Sequence, residues 1–199
     1  MWPWERQLDR TKKAADFTLP DVSGKMVSLD DFDDNPALLV AFICNHCPFV
    51  LHLIDHFAEF AREYEAKGLQ VVAISSNDPE EFPEDDFEHM KAFSADHRLS
   101  FPYLYDETQN VARDYQAVCT PDFFLFDGER NLFYAGQYDS SRPEIDKPLP
   151  PELLPDKDYE LTGEDLRAAV DALLSGRDLP FAEKPSMGCS IKWRPGNDT

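Results

Sequence analysis

Leu38-Leu39-Val40-Ala41-Phe42-Ile43-Cys44-Asn45-His46-Cys47-Pro48-Phe49-Val50 sets the fold. Its first six residues are an unbroken apolar run, the pattern of a strand buried on both faces at the centre of a sheet. From Pro48 the period changes. Val50, Ile54, Phe57, Phe60, Ala61 and Tyr64 recur at intervals of three and four, which predicts a helix over 48–67 that stops at Gly68. Outward from this junction the alternation continues. Residues 70–75 read as a second buried strand, and 85–97 as a helix behind an acidic loop that carries prolines. A helical stretch over 107–115 precedes a strand at 123–126, a turn at 127–131 and a return strand at 132–135. Thr162 is placed to cap a last helix over 163–175, with Asp165 at its third helical position. Strands alternating with helices define the α/β class.

The two cysteines sit where that strand hands over to that helix. The first turn of a helix carries unpaired N–H groups and the positive end of the dipole. A thiolate there is stabilised, so the pKa of Cys44 is expected below about 8.5. Cys47, one turn along, is placed to attack a mixed disulfide from within, so the pair can carry two electrons through a disulfide. His46 can donate a hydrogen bond or a positive charge to the thiolate. That would stabilise the reduced form and place the couple in the upper half of the span from about −270 to about −120 mV. Pro48 suits a first turn, where a missing N–H costs nothing.

Composition narrows the function classes. The chain has 199 residues, 42% of them hydrophobic, enough for one domain with a core. The formal charge is −20 and no basic cluster occurs, which argues against a nucleic-acid partner. No apolar run reaches the roughly 18–20 residues of a membrane span. Met1-Trp2-Pro3-Trp4-Glu5-Arg6 shows no apolar signal core, so a cytoplasmic location is expected. The acidity fits either a high-salt habitat or an ordinary soluble protein. Four cysteines in this length, Cys44, Cys47, Cys119 and Cys189, suggest chemistry at one or two places, not a disulfide framework. Residues 140–158 read as a long proline-punctuated loop. The domain is expected over 1–178. A tail over 179–199 is expected to pack on it through Phe181, Met187, Ile191 and Trp193.

The segment Phe42-Ile43-Cys44-Asn45-His46-Cys47-Pro48-Phe49-Val50 resembles the active-site segment of the peroxiredoxin-like group of the thioredoxin superfamily, which includes alkyl hydroperoxide reductases and thiol-specific antioxidants. Three further stretches carry the same resemblance. Residues 15–25 look like the superfamily's first hairpin, and Cys119-Thr120-Pro121-Asp122-Phe123 looks like its cis-proline segment. Pro185-Ser186-Met187-Gly188-Cys189-Ser190-Ile191-Lys192-Trp193 is similar to a C-terminal signature of this group. The resemblance implies a thioredoxin-like fold: a central mixed β-sheet flanked by helices, with an N-terminal hairpin and a docked C-terminal tail. It also implies that Thr120 and Pro121 face the dithiol and present backbone to an extended substrate, with Cys119 beside them. The sequence departs from peroxiredoxins at two places. Cys44 stands where they carry a threonine, if Cys47 is matched to their peroxidatic cysteine, and Val118-Cys119-Thr120 stands where they carry an arginine. Both departures argue against peroxide activation of the peroxiredoxin kind, and the Cys-x-x-Cys arrangement favours thioredoxin-like exchange.

Alternatives attach to several residues. Cys119 is either a third redox thiol or a small buried hydrophobe. Cys189 is either a resolving cysteine or a packed residue in a glycine-containing turn. A zinc clip would need Cys44 and Cys47 completed by Cys119 and one of His46, His52 or Cys189; with no second Cys-x-x-Cys, neither metal nor cofactor is expected. His52 and His56, four apart, read as paired surface histidines. The acidic stretch around Asp85-Asp86 reads as a solvated face. Trp2 and Trp4 suggest an anchor for the N-terminus or a contact in a homodimer. The expected function is thiol–disulfide exchange by Cys44 and Cys47, tuned by His46 and the helix start, with Asn45 counted among the catalytic residues, on a protein disulfide or small thiol, with a dithiol reductant as second partner. The rivals are a thiol peroxidase acting on hydroperoxides through a sulfenic acid and a non-catalytic redox-sensing or metal-binding module.

Overall fold

A computed structural model describes residues 6, 8–144 and 160–197. A five-stranded mixed sheet forms the centre. In order across the sheet these are β5 (Tyr103–Tyr105), β4 (Leu69–Ser75), β3 (Ala37–Phe42), β7 (Asp122–Asp127) and β8 (Leu132–Gly136). β3 pairs with β4 in parallel and with β7 antiparallel, placing Phe42 opposite both Ile74 and Asp122. Every residue of β3 is buried, as its unbroken apolar run requires. The strand's period of two sends Leu39, Ala41 and Ile43 into one hydrophobic layer and Leu38, Val40 and Phe42 into the other.

The first layer is covered by α1 (Pro48–Glu65), α2 (Phe87–Asp96) and α4 (Glu164–Leu174). α1 buries Val50, Ile54, Phe57, Phe60, Ala61 and Tyr64, the six positions that its periodicity marks. Its stop is also as expected: Gly68 has φ +102°, and a Cβ there would meet Pro36 Cγ at 2.7 Å. The second layer is covered by α3 (Asn110–Asp114) and the N-terminal hairpin of β1 (Thr18–Pro20) and β2 (Met26–Ser28).

Three local expectations need correction. The helix expected over 107–115 is only α3, because Gln109 at its start takes a left-handed φ of +62° and gives its side chain to long-range bonds. Thr162 does not cap α4. Gly163, with φ +68°, starts it, and Asp139 Oδ2 accepts the amides of Thr162 and Gly163 at 2.8 and 2.6 Å. Asp165 turns to Gln137 instead, accepting from Nε2 at 2.7 Å. The helix expected from Asp85 begins at Phe87 with Asp86 as its cap, preceded by a single 3₁₀ turn over Pro83–Asp85.

The tail lies against both layers. Ile191 and Trp193 join the second layer, while Phe181 and Cys189 pack on the first. β9 (Cys189–Ser190) pairs antiparallel with β6 (Cys119–Thr120), with Thr120 opposite Cys189. Among the described residues no helix is long and apolar enough to cross a membrane. Trp2 and Trp4, on which the homodimer expectation rests, lie outside the described residues, as does most of the loop expected over 140–158.

Candidate active site

β3 delivers Cys44 to the end of the sheet, where the Ile43 amide still bonds Ile74 O at 3.0 Å. Cys47 is the N-cap of α1, with extended backbone, and its carbonyl accepts the amides of Val50 and Leu51 at 2.9 Å. Both sulfurs are held against Thr120. Cys44 Sγ lies 3.2 Å from Thr120 Oγ1, and Cys47 Sγ lies 3.0 Å from Thr120 O. The Thr120-Pro121 peptide bond is cis. Thus the strand–helix junction and the β6–β7 loop, far apart in sequence, meet at two thiols that have no exposed surface. None of the four cysteines is in a disulfide.

The charge falls on a different sulfur from the one the helix-start argument selects. The Cys44 thiol is pushed far up, first because it donates a hydrogen bond to Cys47, then by burial and by the nearby Asp85 carboxylate. Cys47 is held well below the ordinary cysteine range. Hydrogen bonds from the Cys189 thiol and then the Cys44 thiol do most of this, and the amides of Cys189 and Val50 add to it against burial. As a thiol, Cys47 would instead donate to Thr120 O. Several donors against one acceptor make the thiolate the better-served form. Cys189 is raised for the reciprocal reason, as donor to Cys47. Cys119 is raised by burial and turns its Sγ toward Pro121 O at 3.5 Å.

Asp85 is fully buried, which overturns its reading as part of a solvated face. Its Oδ1 accepts the Asn45 amide at 2.8 Å and its Oδ2 accepts Asn77 Nδ2 at 2.7 Å. These bonds replace the water that the carboxylate loses. Asn45 touches no sulfur through its side chain; it donates to Glu84 O at 2.8 Å and accepts from Tyr103 OH at 3.0 Å. It therefore positions the loop between the cysteines. His46 brings Nδ1 to 2.7 Å from Asp85 Oδ2, outside hydrogen-bond geometry, and stacks on Phe82 with ring centroids 5.4 Å apart. Phe82 also carries the Lys192 ammonium 5.4 Å from its ring centre.

Cys44, His46 and Asp85 present three metal-type donor atoms within 4.8 Å of one another. Both Asp85 oxygens are already engaged, and a zinc site takes four donors. His52 and His56 are not paired surface histidines. His52 Nε2 lies 3.0 Å from Ser141 Oγ and His56 Nδ1 lies 2.6 Å from Tyr138 OH, tying α1 to the segment after β8. Asp85, Asn77 and Tyr103 escaped the sequence reading. Their partners lie 8 to 58 residues away, and no local pattern announces such bonds.

The tail is tied down on both sides of β9. Gln137 N donates to Lys184 O at 3.0 Å and Ser186 Oγ to Gly136 O at 2.8 Å. Beyond β9, Lys192 N donates to Asn77 Oδ1 and Arg194 N to Gln109 Oε1, at 2.9 and 2.8 Å. Gly188 leaves no room for a side chain: a Cβ would stand 1.9 Å from Thr120 O.

A buried dithiol at the start of α1, facing a cis-proline loop across a mixed sheet, defines a thioredoxin-like redox protein. The AhpC/TSA family model matches residues 11–135, and the chain belongs to the AhpC/TSA family. The solved structure of a hypothetical protein from Sinorhizobium meliloti 1021 is 49% identical, with TM-score 0.84, over 93% of this chain and 94% of that one. The chain is 31% identical to the chloroplastic peroxiredoxin Q of Triticum aestivum over 50% of its own length and 42% of that protein's. It thus spans less than half of that relative. It is 22% identical to the thiol-disulfide oxidoreductase ResA of Bacillus thuringiensis over 73% of this chain and 79% of that protein.

Proposed function

We propose that this protein is a thiol–disulfide oxidoreductase whose working couple is Cys44 and Cys47. The observation that carries the proposal is the convergence of both sulfurs on Thr120, at 3.2 Å for Cys44 and 3.0 Å for Cys47. A substrate disulfide RS–SR′ accepts two electrons and becomes RSH and R′SH. The Cys44 thiol and the Cys47 thiolate supply those electrons, Cys44 gives one proton and solvent the other, and the two sulfurs close into a disulfide. Family membership and the similarity to a thiol-disulfide oxidoreductase support this reading. Asn45 and Asp85 hold the intervening loop, and His46 stands beside it. A dithiol reductant in the cytoplasm would return the couple to its reduced form. The test is reduction of insulin disulfides in the presence of dithiothreitol, with mass mapping of the oxidised protein. A Cys44–Cys47 link and loss of activity in both Cys44→Ser and Cys47→Ser are expected; absence of that link sinks the proposal.

A second reading, a thiol peroxidase, is favoured by the thiolate resting on Cys47 and by the peroxiredoxin Q relatives. There Cys47 would reduce a hydroperoxide to an alcohol and become a sulfenic acid, which a neighbouring thiol condenses to a disulfide with loss of water. Peroxide consumption that persists in Cys44→Ser and vanishes in Cys47→Ser would put this reading first.

A further inference from the structure

We propose that Cys189 is the thiol through which the buried couple exchanges electrons with external disulfides. This rests on the reading of Cys44 and Cys47 as the couple, and it assigns the point of contact that the reading lacks.

Access is the first ground. Thiol–disulfide exchange needs one sulfur to approach another in line with the bond being broken. Cys44 and Cys47 expose nothing and Cys119 only 1%, whereas Cys189 is partly exposed. No external sulfur reaches the couple directly in this arrangement. Connection is the second ground. Cys189 stands opposite Thr120 in the β6–β9 pair, and the Cys47 sulfur lies 3.0 Å from the carbonyl of that same Thr120. The third ground is that the tail is fitted to this place. β9 covers the edge of β6 with Cys189 opposite Thr120, the residue that receives both couple sulfurs. Gly188 allows the close approach, and bonds to Gly136, Asn77 and Gln109 hold the strand on either side. With that edge covered, a foreign strand has no backbone to pair with there.

The steps balance. A proton passes from Cys189 to Cys47, leaving a Cys189 thiolate. This attacks an external disulfide RS–SR′, forming Cys189–S–SR and releasing R′S⁻, which takes the proton from Cys47. The Cys47 thiolate attacks the Cys189 sulfur, forming the Cys47–Cys189 disulfide and releasing RS⁻. Cys44 gives its proton to RS⁻ and attacks Cys47, forming Cys44–Cys47 and releasing Cys189 as thiolate, which regains a proton from solvent. Two electrons have passed from the couple to RS–SR′, and Cys189 ends as it began.

Glutathione disulfide, in stoichiometric excess over reduced full-length protein, tests this, with the rate of Cys44–Cys47 formation followed by alkylation and mass mapping. Cys189→Ser and Cys189→Ala are expected to form that link at least tenfold more slowly than the wild type. In Cys47→Ser, which cannot complete the relay, a glutathione adduct is expected on Cys189. Unchanged rates in both Cys189 variants, or an adduct on Cys44 or on no cysteine in Cys47→Ser, would overturn the inference. Failure of the wild type itself to form Cys44–Cys47 would instead overturn the reading on which it rests.

Discussion

Asp85 Oδ1 accepts the backbone N–H of Asn45 at 2.8 Å, so a residue forty positions downstream fixes the loop between the two cysteines. The carboxylate is fully buried and also holds Asn77, which in turn accepts the Lys192 amide of the tail. Asp85→Ala strands two buried donors, and its cost is expected at about 2–5 kcal/mol, measured by urea unfolding of the reduced protein. Asp85→Asn keeps the shape and removes the charge. The Cys44 pKa should then fall, because that charge helps hold it up. Thiolate absorbance near 240 nm as a function of pH reads this out, and an unmoved Cys44 would refute it.

The thiol cluster should give stability a maximum in pH. Cys47 is depressed in the folded state, so its contribution is complete above the ordinary cysteine value and is lost as pH falls below it. Cys44 and Cys189 are raised, so theirs is complete below that value and is lost as pH rises through it. Below about pH 8.5 the unfolded chain therefore binds more protons than the folded one, and above it fewer. Unfolding free energy of the wild type minus that of Cys44→Ser/Cys47→Ser/Cys189→Ser, measured under reducing conditions, should peak near pH 8–9. A flat difference from pH 6 to 10 would contradict it.

Gly188→Ala should lift the tail. The added methyl meets backbone, the Thr120 carbonyl at 1.9 Å, and cannot be relieved by turning a side chain. A cost of about 1–3 kcal/mol is expected for this overpacking. Alkylation of Cys47 by iodoacetamide should quicken at least tenfold, because the strand that covers β6 is displaced. A variant that alkylates at the wild-type rate would show that β9 does not shield the couple.

Thr120→Val should act on the couple without disturbing the strand, since valine keeps the branched shape. It removes the Oγ1 partner of Cys44 at 3.2 Å, at about 1 kcal/mol. That partner lowers the Cys44 pKa, so its loss should raise the pKa further and slow closure of the Cys44–Cys47 disulfide. The rate of disulfide formation at fixed pH is the measurement; an accelerated rate would oppose the assignment.

The junction of β3 and α1 could be read from the chain because its signals are local. Six consecutive apolar residues make the strand, and the buried face of α1 follows from spacing alone. The Cys44–Cys47 pair and its approach to Thr120 followed from a short motif and a resemblance. What stayed hidden depended on distant partners. Nothing near Asp85 distinguishes it from Asp86, yet one is buried on Asn45 while the other caps α2. The choice of Cys47 over Cys44 as thiolate turns on donors from Cys189, which a helix dipole argument does not include. Gln109 looked like an ordinary helix residue, but its side chain is used to hold Lys192 and Arg194.

Phe82 meets both the imidazole of His46 and the ammonium of Lys192. The surroundings of the histidine within the Cys-x-x-Cys loop therefore include a residue from the far end of the chain. A tail that swings away takes a cation from that phenyl face and alters the footing of His46 in the same movement. Docking of the C-terminus and the electrostatics of the redox loop are thus one coordinate, not two.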